Sequence, residues 1–147
     1  VSHTTAIDNI VFQDIAALTA AVNELAAQGI KCSLEKDAVP RAYYQNQVGM
    51  EKAPYVLRLH DAPFDIGFYY DKDKGGHVAR TDLHAGHVSR QLGVQAQGSE
   101  TAMQAALGKL NQTYAIHATT RAAVAKGMQV RRVNGNDGSV RLVVTGM

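Results

Sequence analysis

The chain has 147 residues, 46% of them hydrophobic and 19% charged, a size and composition that support one folded core and exclude a mainly disordered chain. Fifteen Lys and Arg against thirteen Asp and Glu leave a formal charge of +2, so bulk charge designates no polyanionic partner. No stretch approaches the ~18 apolar residues of a membrane-spanning helix, the opening residues lack a basic-then-apolar secretory signal, and the single cysteine, Cys32, has no partner for an intramolecular disulfide; we expect a cytoplasmic protein in a reducing compartment.

Residues 3–12 are rich in Thr, Ile and Val and read as a strand. Asp14 stands where its carboxylate can serve the free N–H groups of a helix start, and Ile15, Leu18, Val22 and Leu25 then recur at three- and four-residue steps until Gly29. Ile30, Cys32 and Leu34 alternate along a second strand. Residues 37–54 hold two of the three prolines and the Tyr43–Tyr44 pair and predict a short strand plus loop. Tyr55, Leu57 and Leu59 alternate with Val56, Arg58 and His60; Ile66, Phe68 and Tyr70 repeat the pattern, and the charged, glycine-bearing 71–76 loop returns the chain at 77–82, making a meander.

Residues 83–99 are weakly patterned. From 101 to 126 a stripe of Met103, Leu107, Leu110, Tyr114, His117, Arg121 and Val124 predicts a long helix, with Gly108 weakening it by ~1 kcal/mol relative to alanine. Gly127 ends it. A terminal hairpin follows, Val130 and Val133 in one strand and Val140, Leu142 and Val144 in the other, around Asn134-Gly135-Asn136-Asp137-Gly138. The order predicts a single α+β domain over 1–147: a mainly antiparallel sheet with two principal helices, 14–28 and 101–126, packed on one face and the other face or an edge left free.

Ser2-His3-Thr4-Thr5, Asp65-Ile66-Gly67-Phe68, Leu110-Asn111-Gln112-Thr113-Tyr114-Ala115, Gly127-Met128-Gln129-Val130 and Asp137-Gly138-Ser139-Val140-Arg141-Leu142 together resemble domain-of-unknown-function family 1257. That family includes the conserved chloroplast reading frame 35 proteins of algae and has relatives in cyanobacteria and bacteriophages. The resemblance covers nearly the whole chain, is strongest towards the C-terminus and is poor over 37–54 and 84–98. It implies a fold and no catalytic residues; through the phage relatives it implies a phage-encoded accessory or virion-associated protein as one form the function takes.

Four groups of residues are candidates for function. Tyr43, Tyr44, Tyr69 and Tyr70 come in adjacent pairs, so in strands one ring of each pair faces outward, where amphipathic rings suit a protein interface. Arg121, Lys126, Arg131, Arg132 and Arg141 gather positive charge at the C-terminal hairpin, with Arg131 and Arg141 opposite in facing to Val130, Leu142 and Val144, an arrangement suited to an anion or a nucleic acid. His84 and His87, three residues apart, with His77 and Asp82 near in sequence, could supply ligands for zinc, although no cysteine pair or HExxH helix accompanies them. His117 and Cys32 are weighed as acid–base group and nucleophile, against a partly buried histidine at the helix–sheet edge and a buried strand thiol. The carboxylates Asp61, Asp65, Asp71, Asp73 and Asp82 fall near strand ends, where solvation accounts for them.

The leading expectation is a small non-enzymatic binding or adaptor protein, without cofactor, docking on another protein or on copies of itself through a sheet edge or the tyrosine-bearing meander. A nucleic-acid-binding hairpin is the alternative, and a metal-dependent hydrolase at the histidines the second.

Overall fold

The computed structural model describes residues 4–41, 51–62, 65–82 and 100–146. The elements are β1 (Thr4–Phe12), α1 (Ile15–Ala27), β2 (Cys32–Ala38), β3 (Ala53–Leu59), β4 (Ile66–Asp71), β5 (Gly76–Asp82), α2 (Glu100–Ala125), β6 (Gln129–Asn134) and β7 (Val140–Thr145). Five strands form an antiparallel sheet in the order β1-β5-β4-β3-β2, and β6 and β7 form a separate two-stranded ribbon. The fold is α+β.

Asp14 caps α1 as its sequence position predicts: its backbone is extended and Oδ1 accepts from Ala17 N at 3.1 Å. The helix buries Ala17, Leu18, Ala21, Val22 and Leu25 and carries the chain from the β1 edge of the sheet to the β2 edge. Gly29, at φ 97°, supplies the left-handed residue that ends it. From β2 to β5 the chain is a meander, with Tyr55 opposite Phe68 and Phe68 opposite Ala79. On β1, Ile7 faces Ala79 and Val11 faces Val78, so residues 8–10 are a bulge with no counterpart on β5.

Both helices lie on one face of this sheet. Their apolar residues, Leu18, Val22, Leu25, Leu110 and Tyr114, form one core with Phe12, Leu57, Leu59, Ile66, Phe68 and Ala79. Phe12 meets Phe68 edge-on at 5.1 Å and Tyr114 at 4.7 Å between ring centroids. The Tyr114 hydroxyl accepts from Gln13 N at 2.9 Å and Asp14 N at 3.0 Å. One side chain of α2 thus fills the core and also satisfies two donors where β1 turns into α1.

Of the face or edge expected to be free, the opposite face is not free at its centre. Val56 and Tyr69 are buried there with Ala53, and Pro40 of the segment that follows β2 packs on Gly67: a Cβ on Gly67 would stand 2.7 Å from Pro40 Cγ and 2.7 Å from the Tyr69 ring. Gly67 is therefore the price of close approach by Pro40.

Asp65, read as a solvated strand-end carboxylate, is fully buried. Its two oxygens accept from Arg41 N, Nε and Nη2, from Arg58 Nη1 and from Leu59 N, at 2.7–3.2 Å. Burial pushes its carboxyl up, but the hydrogen bonds from Arg41, Arg58 and Leu59 outweigh that and hold it below the usual range. The cluster ties the chain after β2 to the β3–β4 connection.

Beyond Tyr114 the stripe of α2 leaves the core. His117 turns to Glu24 of α1 and Arg121 to its cap residue Asp14, and Val124 is 57% exposed. Among the described residues no helix is long and apolar enough to cross a membrane.

Candidate functional site

The part of the chain that the main core does not absorb is the ribbon at the end of α2. Gly127, at φ 79°, lets the helix stop, with Met128 N bonded back to Ala123 O at 3.0 Å. The turn between the strands closes through Gly135 N to Ser139 O at 2.8 Å and Gly138 N to Gly135 O at 3.4 Å, and Gly138 takes φ 85°. Asp137 Oδ1 accepts from Ser139 N at 3.1 Å and Ser139 Oγ at 2.6 Å. This is the glycine, Asn and Asp chemistry that the sequence predicts for a hairpin.

Register separates the two faces. Opposed pairs Val130–Val144, Arg132–Leu142 and Asn134–Val140 share one face; Gln129–Thr145, Arg131–Val143 and Val133–Arg141 share the other. The first face turns towards the helices. Arg132 gives Nη1 and Nη2 to the two Glu24 oxygens at 2.7 and 3.0 Å, His117 Nε2 lies 3.0 Å from Glu24 Oε1, and Gln112 Nε2 donates to Gly138 O at 3.3 Å. The Arg132 guanidinium holds the Glu24 carboxyl below its usual range, with His117 adding to the effect against burial. A groove of about 230 Å³ opens here, lined by Lys109, Thr113, Ile116, Asn134, Ser139 and Val140 among others.

The five basic candidates are thereby divided. Arg121 Nε donates to Asp14 Oδ2 at 2.9 Å and Arg132 is held by Glu24, so these two fasten α2 and the ribbon to α1. Lys126, Arg131 and Arg141 are exposed and form no ion pair among the described residues. Arg131 and Arg141 share the outer face, as the alternation predicts, with the half-buried Val133 and Val143 between them. Apolar surface gathers at the ribbon base, where Val124, Met128 and Val144 are 57%, 38% and 43% exposed.

The tyrosines divide as well. Tyr69 is buried, its hydroxyl donating to Glu51 O at 2.7 Å and pushed up to about 12 by that burial, with Arg80 Cζ 4.6 Å above its ring. Its ring serves the second core. Tyr70 is 60% exposed, with its ring 5.4 Å from that of His77; Tyr43 and Tyr44 lie outside the described residues.

His84 and His87 lie outside them too. His77 stands edge-on between Tyr70 and Tyr55, and burial lowers its affinity for a proton; no group of three His, Cys, Asp or Glu suited to a metal occurs among the described residues. His117 is a link in the Glu24 cluster. Cys32 rests 3.8 Å from Val22 O, and burial pushes its thiol up, away from the thiolate a nucleophile needs. Sequence reasoning missed the acceptors, Glu24 and Asp14 on α1 and Asp65 on the meander, because each meets its arginine only through the packing of distant segments. Comparison with protein-family models, with curated proteins and with solved structures finds no match to this chain.

Proposed function

We propose that this is a small non-enzymatic binding protein that docks on another protein through its C-terminal ribbon. The observation that carries the reading is that β6 and β7 form a sheet of their own, held to the body by one face and bearing, among the described residues, unpaired edges and an exposed outer face. An isolated two-stranded ribbon is marginal in water, so its attachment through Arg132 to Glu24 and Gln112 to Gly138 matters for presenting it. Exposed strand edges are aggregation hazards unless covered, and partner docking is one way to cover them. The nucleic-acid reading is weaker than the residue count suggested: two of its five basic residues are neutralised internally, and the ribbon bears no aromatic ring on which a base could stack.

The test is affinity capture with the tagged full chain and with Val144→Pro and Arg141→Glu variants, with and without nuclease. A protein retained by wild type through nuclease treatment and lost with both variants is the expected result. Capture that is unaffected by both variants, or abolished by nuclease, refutes the reading.

A further inference from the structure

Among the described residues four strands have an unpaired side, and they differ in how they guard it. β1 is interrupted by the bulge at residues 8–10. β2 carries Glu35, Lys36 and Asp37 before its last residue, Asp37 in a left-handed backbone conformation at φ 51°. β6 carries Arg131 and Arg132. Bulges and charges of this kind are how edges are blunted. β7 reads Val140-Arg141-Leu142-Val143-Val144-Thr145, regular in register throughout, with a single charge.

The turn sets which backbone groups this edge offers. Because Gly135 and Ser139 form a hydrogen-bonded pair, the alternation of an antiparallel ladder makes Val133–Arg141, Arg131–Val143 and Gln129–Thr145 the bonded pairs. The N–H and C=O groups of Val140, Leu142 and Val144 therefore point away from β6, and among the described residues no strand lies beside them. A strand added there would place its side chains in register with those of β7. On the outer face it meets Arg141, Val143 and Thr145, with Arg131 across from Val143; on the inner face it meets Val140, Leu142 and the 43% exposed Val144. Among the described residues no carboxylate pairs with Arg131 or Arg141, and Asp137 at the tip is engaged by Ser139. Carboxylates on one side and aliphatic groups on the other are what this edge lacks.

We propose that the free edge of β7 binds an extended segment of a partner protein whose side chains alternate acidic and aliphatic, the acids facing Arg141 and Arg131 and the aliphatics covering Leu142 and Val144. The proposal rests on the docking reading above and gives the partner's chemistry. A second copy fits less well: with Val143 opposite its own equivalent, the paired ribbons would bring four arginines to one face and no carboxylate.

The test uses the full chain and three fluorescein-labelled peptides of about eight residues, read by fluorescence anisotropy: glutamate alternating with valine, lysine alternating with valine, and the glutamate–valine composition sorted into two blocks. We expect the alternating acidic peptide to bind at least about tenfold tighter than either control and to weaken as salt screens the arginines. Val144→Pro removes an outward N–H without breaking the β6–β7 ladder and should reduce affinity at least about fivefold. Arg141→Glu, on the exposed face, should reverse the preference in favour of the lysine peptide, and it keeps the test decisive where proline unfolds the ribbon. Equal binding of alternating and blocked peptides, or an unchanged preference in Arg141→Glu, overturns the proposal. So does a chain that is dimeric by light scattering and becomes monomeric in Val144→Pro, or a DNA duplex that displaces the peptide. Variant-sensitive capture of a protein with no acidic-peptide binding refutes the strand chemistry and leaves the docking reading standing; failure of both refutes both.

Discussion

Replacing Asp65 by alanine should be among the most damaging single changes in the meander. The substitution removes five accepted hydrogen bonds and the counter-charge of two guanidinium groups. Leu59 N–H, buried in β3, loses its side-chain acceptor, and a buried donor without a partner costs ~1–3 kcal/mol. Arg58, 20% exposed, keeps Glu35 and Val39 O, and Arg41, 38% exposed, keeps Leu59 O, so neither is wholly stranded. Breaking a buried pair from one side costs ~3–5 kcal/mol, and the remaining partners argue for the lower half of that range. A chain of this size should lose roughly 2–4 °C of melting temperature per kcal/mol.

Urea titration of wild type, Asp65→Ala and Asp65→Asn, with Arg58→Met to close a double-mutant cycle, measures the cost and the coupling. The pH dependence follows from the direction of the shift. The folded carboxyl titrates below its unfolded value of ~3.9, so its contribution is complete well above pH ~4 and is lost as pH falls through the folded value. Asp65→Asn should therefore show a shallower loss of stability below pH ~4 than wild type. A cost under ~1 kcal/mol, the range of a surface pair, would refute the assignment of Asp65 as the buried tie between the post-β2 segment and the β3–β4 connection.

Tyr114→Phe should destabilise by ~1–3 kcal/mol while leaving the aromatic packing in place, and amide exchange at Gln13 and Asp14 should accelerate beyond the global change. Gly67→Ala should cost ~1–3 kcal/mol by forcing apart Pro40 and the Tyr69 ring, and the strain should appear as altered Tyr69 fluorescence or chemical shifts. Cys32 should react with a disulfide reagent at pH 7–8 more slowly in the folded chain than in urea; equal rates would contradict its burial and raised thiol.

Local order was legible in the residues. The Asp14 cap, the breaks at Gly29 and Gly127, the alternation of β3 and β4 and the turn chemistry of 134–139 each depend on neighbours within a few positions, where backbone preference and periodicity act directly. The facing of Arg131 and Arg141 away from Val130, Leu142 and Val144 follows from the same two-residue period. Pairing between distant segments was not legible. A basic residue looks alike in sequence whether it meets water or a carboxylate a hundred positions away, so only the packing of α1 against α2 and β6 distinguishes Arg121 and Arg132, held by Asp14 and Glu24, from the exposed Arg131 and Arg141. Likewise an aspartate after a turn reads as solvated until Arg41 and Arg58 are seen to enclose it, and Tyr69 reads as half of a surface pair until Arg80 is seen over its ring and Glu51 at its hydroxyl. The elements and the direction of their side chains follow from short-range sterics and period, which act between neighbours along the chain. Which charges are neutralised, and which strand edge is open among the described residues, depends on the packing of distant segments, because Coulomb attraction and burial act over distance in space rather than along the chain.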